Sequence, residues 1–184
     1  GGYETMVERF QDPALRKQIR EEAEEAMELR FGGYKGVFLL ASQRELQEAM
    51  DSMGIDSPGE AVIRLLEEEN QGIIARFGKE SDLIAIMQHP TASIACDCGA
   101  SLAERGHPRG WGSFPKVLGE YVREKKIMSL EKAIYKMSGL PAKTIGMADR
   151  GTLQVGQKAD IVVFDPETII DKATFEAPSL QSEG

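Results

Sequence analysis

Ala92-Ser93-Ile94-Ala95-Cys96-Asp97-Cys98-Gly99 is a short run of small and β-branched residues that ends on a carboxylate and a glycine. Its first half has the length of a buried strand, and its second half is turn chemistry. In parallel α/β folds, functional groups stand just beyond the C-terminal ends of strands, where loops vary while the sheet fixes their origin. Asp97 occupies such a place. An aspartate before Cys-Gly also serves simply to start a turn by accepting backbone N–H bonds, and this stretch alone leaves both readings open.

The segments upstream alternate between helix and strand signals. Asp12-Pro13 starts a helix that turns Leu15, Ile19, Ala23 and Ala26 inward and Glu21, Glu22, Glu24 and Glu25 to solvent. Gly32-Gly33 ends it, and Gly36-Val37-Phe38-Leu39-Leu40-Ala41 reads as a buried strand. Ser42-Gln43-Arg44-Glu45 and Ser57-Pro58-Gly59-Glu60 are capping boxes. They open one helix with Leu46, Ala49, Met50 and Met53 inward and another with Val62, Leu65 and Leu66 inward. Residues 72–77 form the next strand, and Leu83, Ile86 and Met87 mark a short helix that stops before His89-Pro90. This alternation predicts a parallel α/β arrangement.

Downstream, residues 97–112 predict a long loop of the kind that carries function. Within it, His107-Pro108-Arg109-Gly110-Trp111-Gly112 is a rigid, glycine-flanked piece in which the Arg109 guanidinium could grip a carboxylate through two parallel hydrogen bonds. A solvated loop arginine is the alternative. Two helices come next, one with Phe114, Val117, Leu118, Tyr121 and Val122 on a face, the other with Leu130, Ala133, Ile134 and Met137 after a Ser129 cap. Near Arg150 the pattern changes: Gly151-Thr152-Leu153-Gln154-Val155-Gly156 and Ala159-Asp160-Ile161-Val162-Val163-Phe164-Asp165 read as strands.

Composition narrows the function classes. The 184 residues carry a net charge of -8, with basic residues interleaved among acids, which opposes a nucleic-acid partner. No apolar run is long enough for a membrane span, so a cytoplasmic protein is expected. The chain opens Gly1-Gly2-Tyr3-Glu4-Thr5-Met6, which reads either as the middle of a longer polypeptide or as a trimmed chain. Cys96 and Cys98 are separated by one residue, a spacing at which a disulfide is seldom seen, and small buried thiols are preferred over a metal pair. His89 and His107 stand in no zinc-ligand spacing. No Gly-x-Ser-x-Gly elbow supports a serine hydrolase.

The stretch from Pro90 through Asp97 to His107-Pro108-Arg109-Gly110-Trp111-Gly112-Ser113-Phe114-Pro115-Lys116-Val117-Leu118 and Tyr121-Val122-Arg123-Glu124 is similar to the D-aminoacylase (N-acyl-D-amino-acid deacylase) family of the amidohydrolase superfamily. Asp149-Arg150-Gly151 shares this likeness, and residues 159–168 look like the closing signature of amidohydrolases. The resemblance implies an α/β fold: the C-terminal part of a (β/α)8 metal-dependent hydrolase barrel with a helical insertion over residues 1–150, then β-sandwich strands and a tail over residues 151–184. It implies zinc as cofactor, most of whose ligands lie outside this chain, and an N-acyl-D-amino acid as small-molecule substrate. Asp97 falls on the family's last-strand aspartate, which approaches the metal and shuttles a proton from a zinc-activated water to the departing amine. Arg109 falls on the arginine that binds the substrate α-carboxylate. Many relatives read Ser-Asp-Gly where this chain has Cys96-Asp97-Cys98-Gly99. The alternatives are a hydantoinase- or dihydropyrimidinase-like cyclic-amide hydrolase, and a non-catalytic segment when isolated. Isolated, the segment is expected to be inactive.

Overall fold

A computed structural model of the chain describes residues 2–99 and 106–184. The chain packs as two units, Gly1–Gly78 and Lys79–Gly184.

The first unit runs α1 (Tyr3–Phe10), α2 (Pro13–Phe31), a 3-10 turn (Tyr34–Gly36), β1 (Val37–Leu39), β2 (Arg44–Glu45), α3 (Leu46–Met53), α4 (Pro58–Glu68) and β3 (Ile73–Ala75). α2 starts as its sequence predicts, with Asp12 Oδ1 accepting the Ala14 and Leu15 N–H groups at 2.8 and 3.2 Å. The three strands form a sheet in the order β2-β1-β3 with both pairings antiparallel, which corrects the parallel expectation. Residues 40–43 are too few for a parallel crossover, which takes about a dozen residues or more. β3 also returns antiparallel, although α3 and α4 intervene.

Two local readings change as well. α3 begins at Glu45, not at Ser42, through a capping box between Glu45 and Glu48. Glu24 leaves the solvated face of α2: its Oε1 accepts from Ser57 Oγ at 2.5 Å and from Gly59 N at 3.2 Å, so it helps cap α4. Met27, Val37, Leu39, Leu46, Ala49, Met50, Ala61 and Leu65 form the core of this unit. α4 packs so closely on α2 that a Cβ at Gly59 would overlap the Arg20 carbonyl oxygen and lie 2.8 Å from Arg20 Cγ.

The second unit contains α5 (Glu80–Gln88), α6 (Arg109–Lys116), a π-helical continuation (Val117–Glu124), α7 (Leu130–Met137) and α8 (Gly139–Thr144). Pro115 removes an N–H from the α-helical ladder, and the helix goes on in the wider register. Met87, Val117, Leu118, Tyr121, Met128, Ala133 and Ile169 make the core.

The strands expected at residues 92–95, 151–156 and 159–165 are not formed. A strand is a ladder of hydrogen bonds to a neighbour, and among the described residues the tail has a single β-bridge, Ile170 with Glu183. Side chains hold the tail instead: Arg123 Nη1 donates to the Ile169 carbonyl at 2.5 Å, and Arg150 Nη1 lies 3.1 Å from Asp160 Oδ2. The apolar residues of the two tail runs, Leu153, Val155, Ile161, Val162 and Val163, face solvent, Val163 at 90% exposure. Among the described residues no helix is long and apolar enough to cross a membrane.

The approach at Gly59 yields a direct test. Gly59→Ala should lower the unfolding free energy by about 1–3 kcal/mol, because the added methyl must push α2 and α4 apart. Urea denaturation measures this, and a change below about 0.5 kcal/mol would remove close packing as the reason for glycine.

Candidate functional site

The chain leading to Asp97 is fixed by a lysine. Lys136 on α7 is 1% exposed, and its Nζ donates to the carbonyl oxygens of His89 and, at 2.8 Å, Ala92. The Lys136 carbonyl in turn accepts the Ile94 N–H at 3.0 Å. Backbone groups that a neighbouring strand would otherwise satisfy are therefore met by one side chain and its own main chain. Burial, and after it the charge of Lys132, lower the pKa of this ammonium below the ordinary lysine value.

Asp97 lies in the left-handed region, with φ of 48°. In an extended chain Cys96 and Cys98 would stand roughly 6.7 Å apart; the turn at Asp97 brings their Cα atoms to 5.2 Å, and the two sulfurs form a disulfide. The free, buried thiols expected at this spacing are thus corrected. The Cα separation lies within the span that disulfides accept. Cys96 is half-buried and Cys98 exposed.

Arg109, expected in a loop, is the first residue of α6. Residues 100–105 of the expected loop lie outside the described residues. At the start of α6, His107, which precedes the N-cap residue Pro108, caps the first helical amide: its Nδ1 accepts the Arg109 N–H at 3.0 Å, a bond that requires an unprotonated acceptor nitrogen. The His107 ring meets Phe175 edge-on at 5.9 Å between centroids. Partial burial, then the Arg109 charge, holds the His107 pKa below its ordinary value.

The two residues that the sequence singles out are brought together: Arg109 Nη2 lies 3.0 Å from Asp97 Oδ2. With the Asp97 side chain 89% exposed, this ion pair is worth only about 0–1 kcal/mol, so either group is free to exchange its partner for a ligand. Beside the pair opens a cleft of about 460 Å³ lined by residues that include His107, Arg109, Ser113, Lys116, Asp171 and Phe175. That volume suits a small molecule.

Three participants carried weak sequence signals. Lys136 shares the inward spacing of Ala133 and Met137, the one hint that it is no surface lysine. Asp171 comes after an ordinary Ile-Ile pair, yet its carboxylate packs on α6 where a Cβ at Gly112 would overlap it. The disulfide arises from a backbone turn that spacing alone does not give. As for a metal, among the described residues no cluster of three or more His, Cys, Asp or Glu side chains could hold one. Asp97 fits as one oxygen donor, since its carboxylate reaches solvent and its partner among the described residues, Arg109, is weakly held.

The His107 cap makes pH a probe. Its folded pKa lies below the ordinary 6.5, so the unfolded chain binds the proton more readily; the stabilisation is complete above the unfolded value and is lost as pH falls through the folded one. An NMR titration of the His107 ring should give a midpoint below 6.5, with the Arg109 amide signal moving in step. A midpoint at or above that value, or an Arg109 amide indifferent to it, would contradict the cap.

Known proteins align with this chain. Residues 66–184 match the amidohydrolase family. An N-acyl-D-glutamate deacylase of Alcaligenes xylosoxydans xylosoxydans is 49% identical over 105 residues, which cover 57% of this chain and 21% of the relative. The N-acyl-D-aspartate deacylase of the same organism is 40% identical over 144 residues, covering 78% and 28%. A solved structure of the N-acyl-D-glutamate deacylase from Bordetella bronchiseptica, complexed with zinc and a phosphonate inhibitor that mimics the tetrahedral intermediate, superposes with a TM-score of 0.73 at 36% identity over 88% of this chain and 34% of that one. The chain thus spans between a fifth and about a third of the length of these relatives. With the family match extending over more than half of its residues, the chain belongs to the amidohydrolase family.

Proposed function

We propose that the chain is the C-terminal portion of a zinc-dependent deacylase that hydrolyses the amide bond of N-acyl-D-amino acids. The observation that carries this reading is the 3.0 Å approach of Asp97 to Arg109 beside an open cleft. Two groups of opposite charge, close but weakly bound to each other, suit a substrate that brings both a carboxylate and an amide. Relatives that act on N-acyl-D-glutamate and N-acyl-D-aspartate support the substrate class.

In this reading residues 1–150 belong to the last part of a (β/α)8 barrel with a helical insertion. Residues 151–184 supply β-sandwich strands, whose exposed valines and leucine await a covering sheet. Asp97 would be one ligand of the metal, most of whose ligands lie outside this chain. Zinc at such a site would supply Lewis acidity that makes water a nucleophile near neutral pH.

The chain's own residues perform the rest. Arg109, oriented by the His107 cap at the start of α6, receives the substrate α-carboxylate in place of Asp97 through paired hydrogen bonds. Freed from Arg109, the Asp97 carboxylate accepts a proton from the attacking water and returns it to the departing amine nitrogen. Atoms balance: one water is consumed, and a free amino acid and a carboxylate leave. Lys136 keeps the backbone before Asp97 in place while the side chain turns.

A chimera tests this. Residues 66–184 replace the matching segment of the Alcaligenes N-acyl-D-glutamate deacylase, and hydrolysis of N-acetyl-D-glutamate is monitored. Asp97→Asn should leave zinc bound and lower turnover by at least ~100-fold, whereas Arg109→Ala should act mainly by raising KM. Near-normal turnover of the Asp97→Asn chimera would remove Asp97 from the mechanism, and preference for a cyclic amide would shift the substrate class.

A further inference from the structure

The disulfide encloses one residue, Asp97. That residue is non-glycine, has a positive φ and places its carboxylate on Arg109. A left-handed aspartate is tolerated but uncommon, and here the bond between its two neighbours spans the turn, with their Cα atoms 5.2 Å apart where an extended chain would set them roughly 6.7 Å apart. The backbone before the bracket is anchored by Lys136, so freedom released by opening the disulfide is concentrated at residues 96–99.

We propose that Cys96 and Cys98 are a reversible redox site whose oxidised form holds the backbone turn that presents the Asp97 carboxylate to Arg109, and whose reduced form relaxes it. The co-reactant is a low-molecular-weight disulfide. The thiolate of the exposed Cys98 attacks it, forming a mixed disulfide and releasing one thiol. The half-buried Cys96 then attacks the Cys98 sulfur, the Cys96–Cys98 bond forms and the second thiol departs. Two electrons and two protons pass from the cysteines to the small disulfide, which leaves as two thiols; excess small thiol drives the same steps backward.

The consequence for the site rests on the deacylase reading. In the oxidised form a carboxylate of the chain itself stands where the substrate carboxylate would bind and competes weakly with it for Arg109. Reduction relaxes the turn and removes that competition. Bracketing a site residue between two cysteines makes one covalent bond sufficient to couple both groups.

The 184-residue chain, equilibrated in buffers of oxidised and reduced glutathione, tests the site without any activity measurement. Alkylation and then mass spectrometry should find no reactive thiol at the oxidising end and two at the reducing end, on the peptide holding residues 96 and 98. The Arg109 Nε–H signal, assigned by its loss in Arg109→Lys, reads the contact with Asp97. In the oxidised chain Asp97→Asn should shift it; in the reduced chain the same substitution should leave it in place. The Cys96→Ser, Cys98→Ser double variant should behave as the reduced chain in every buffer. Two reactive thiols at the oxidising end, or an Arg109 signal that responds to Asp97→Asn equally in both states, would overturn the proposal. Because catalysis enters none of these readouts, an inactive chimera would count against the deacylase reading and leave the redox result standing.

Discussion

An ammonium group away from water holds the site in place. Lys136 is almost wholly buried, yet its hydrogen-bond partners are neutral backbone carbonyls, those of His89 and Ala92, rather than carboxylates. Burying a charge without hydrogen bonds would cost several kcal/mol or neutralise the group, and the lowered pKa reflects that tension. The carbonyls offset part of that cost and, in return, the chain between α5 and Asp97 acquires a fixed course with no sheet beside it among the described residues. Ile94, bonded to the Lys136 carbonyl, completes the attachment.

This attachment sets the geometry of the candidate site. Asp97 emerges from an anchored backbone, bends through a left-handed turn and meets the guanidinium of Arg109, which stands at the start of a helix capped by His107. The two partners reach the same point from segments with different anchors, one tied to α7 and the other built into α6. A weak, exposed ion pair between anchored backbones leaves its two side chains able to change partners. The chain's membership of the amidohydrolase family places these residues within a hydrolase fold.

Local signals in the sequence were legible where short-range physics decides. Asp12 and Ser57 cap their helices as their residue types require, and the inward stripes through Ala49 and Met50 and through Val117, Leu118 and Tyr121 face the two cores. Asp97 and Arg109 could be singled out by chemistry and resemblance, and they do meet. Strand pairing was less legible. The apolar runs at residues 92–95 and 151–165 have strand composition, but a strand exists only against a neighbour, and none is present among the described residues. The antiparallel sense of β1 and β3 depends on the path of α3 and α4, which residue patterns do not encode. Lys136, Asp171 and the cysteine bridge escaped because their roles arise from contacts between distant segments or from a single backbone angle.

The most direct measurement on the central claim is amide hydrogen exchange at residues 92–99 in the chain and in Lys136→Met. The account predicts that the Ile94 amide, protected by its bond to the Lys136 carbonyl, exchanges at least ~10-fold faster in the variant, while amides of β1 in the other unit keep their rates. Unchanged protection at Ile94 in a folded Lys136→Met chain would show that the lysine does not hold the segment that bears Asp97.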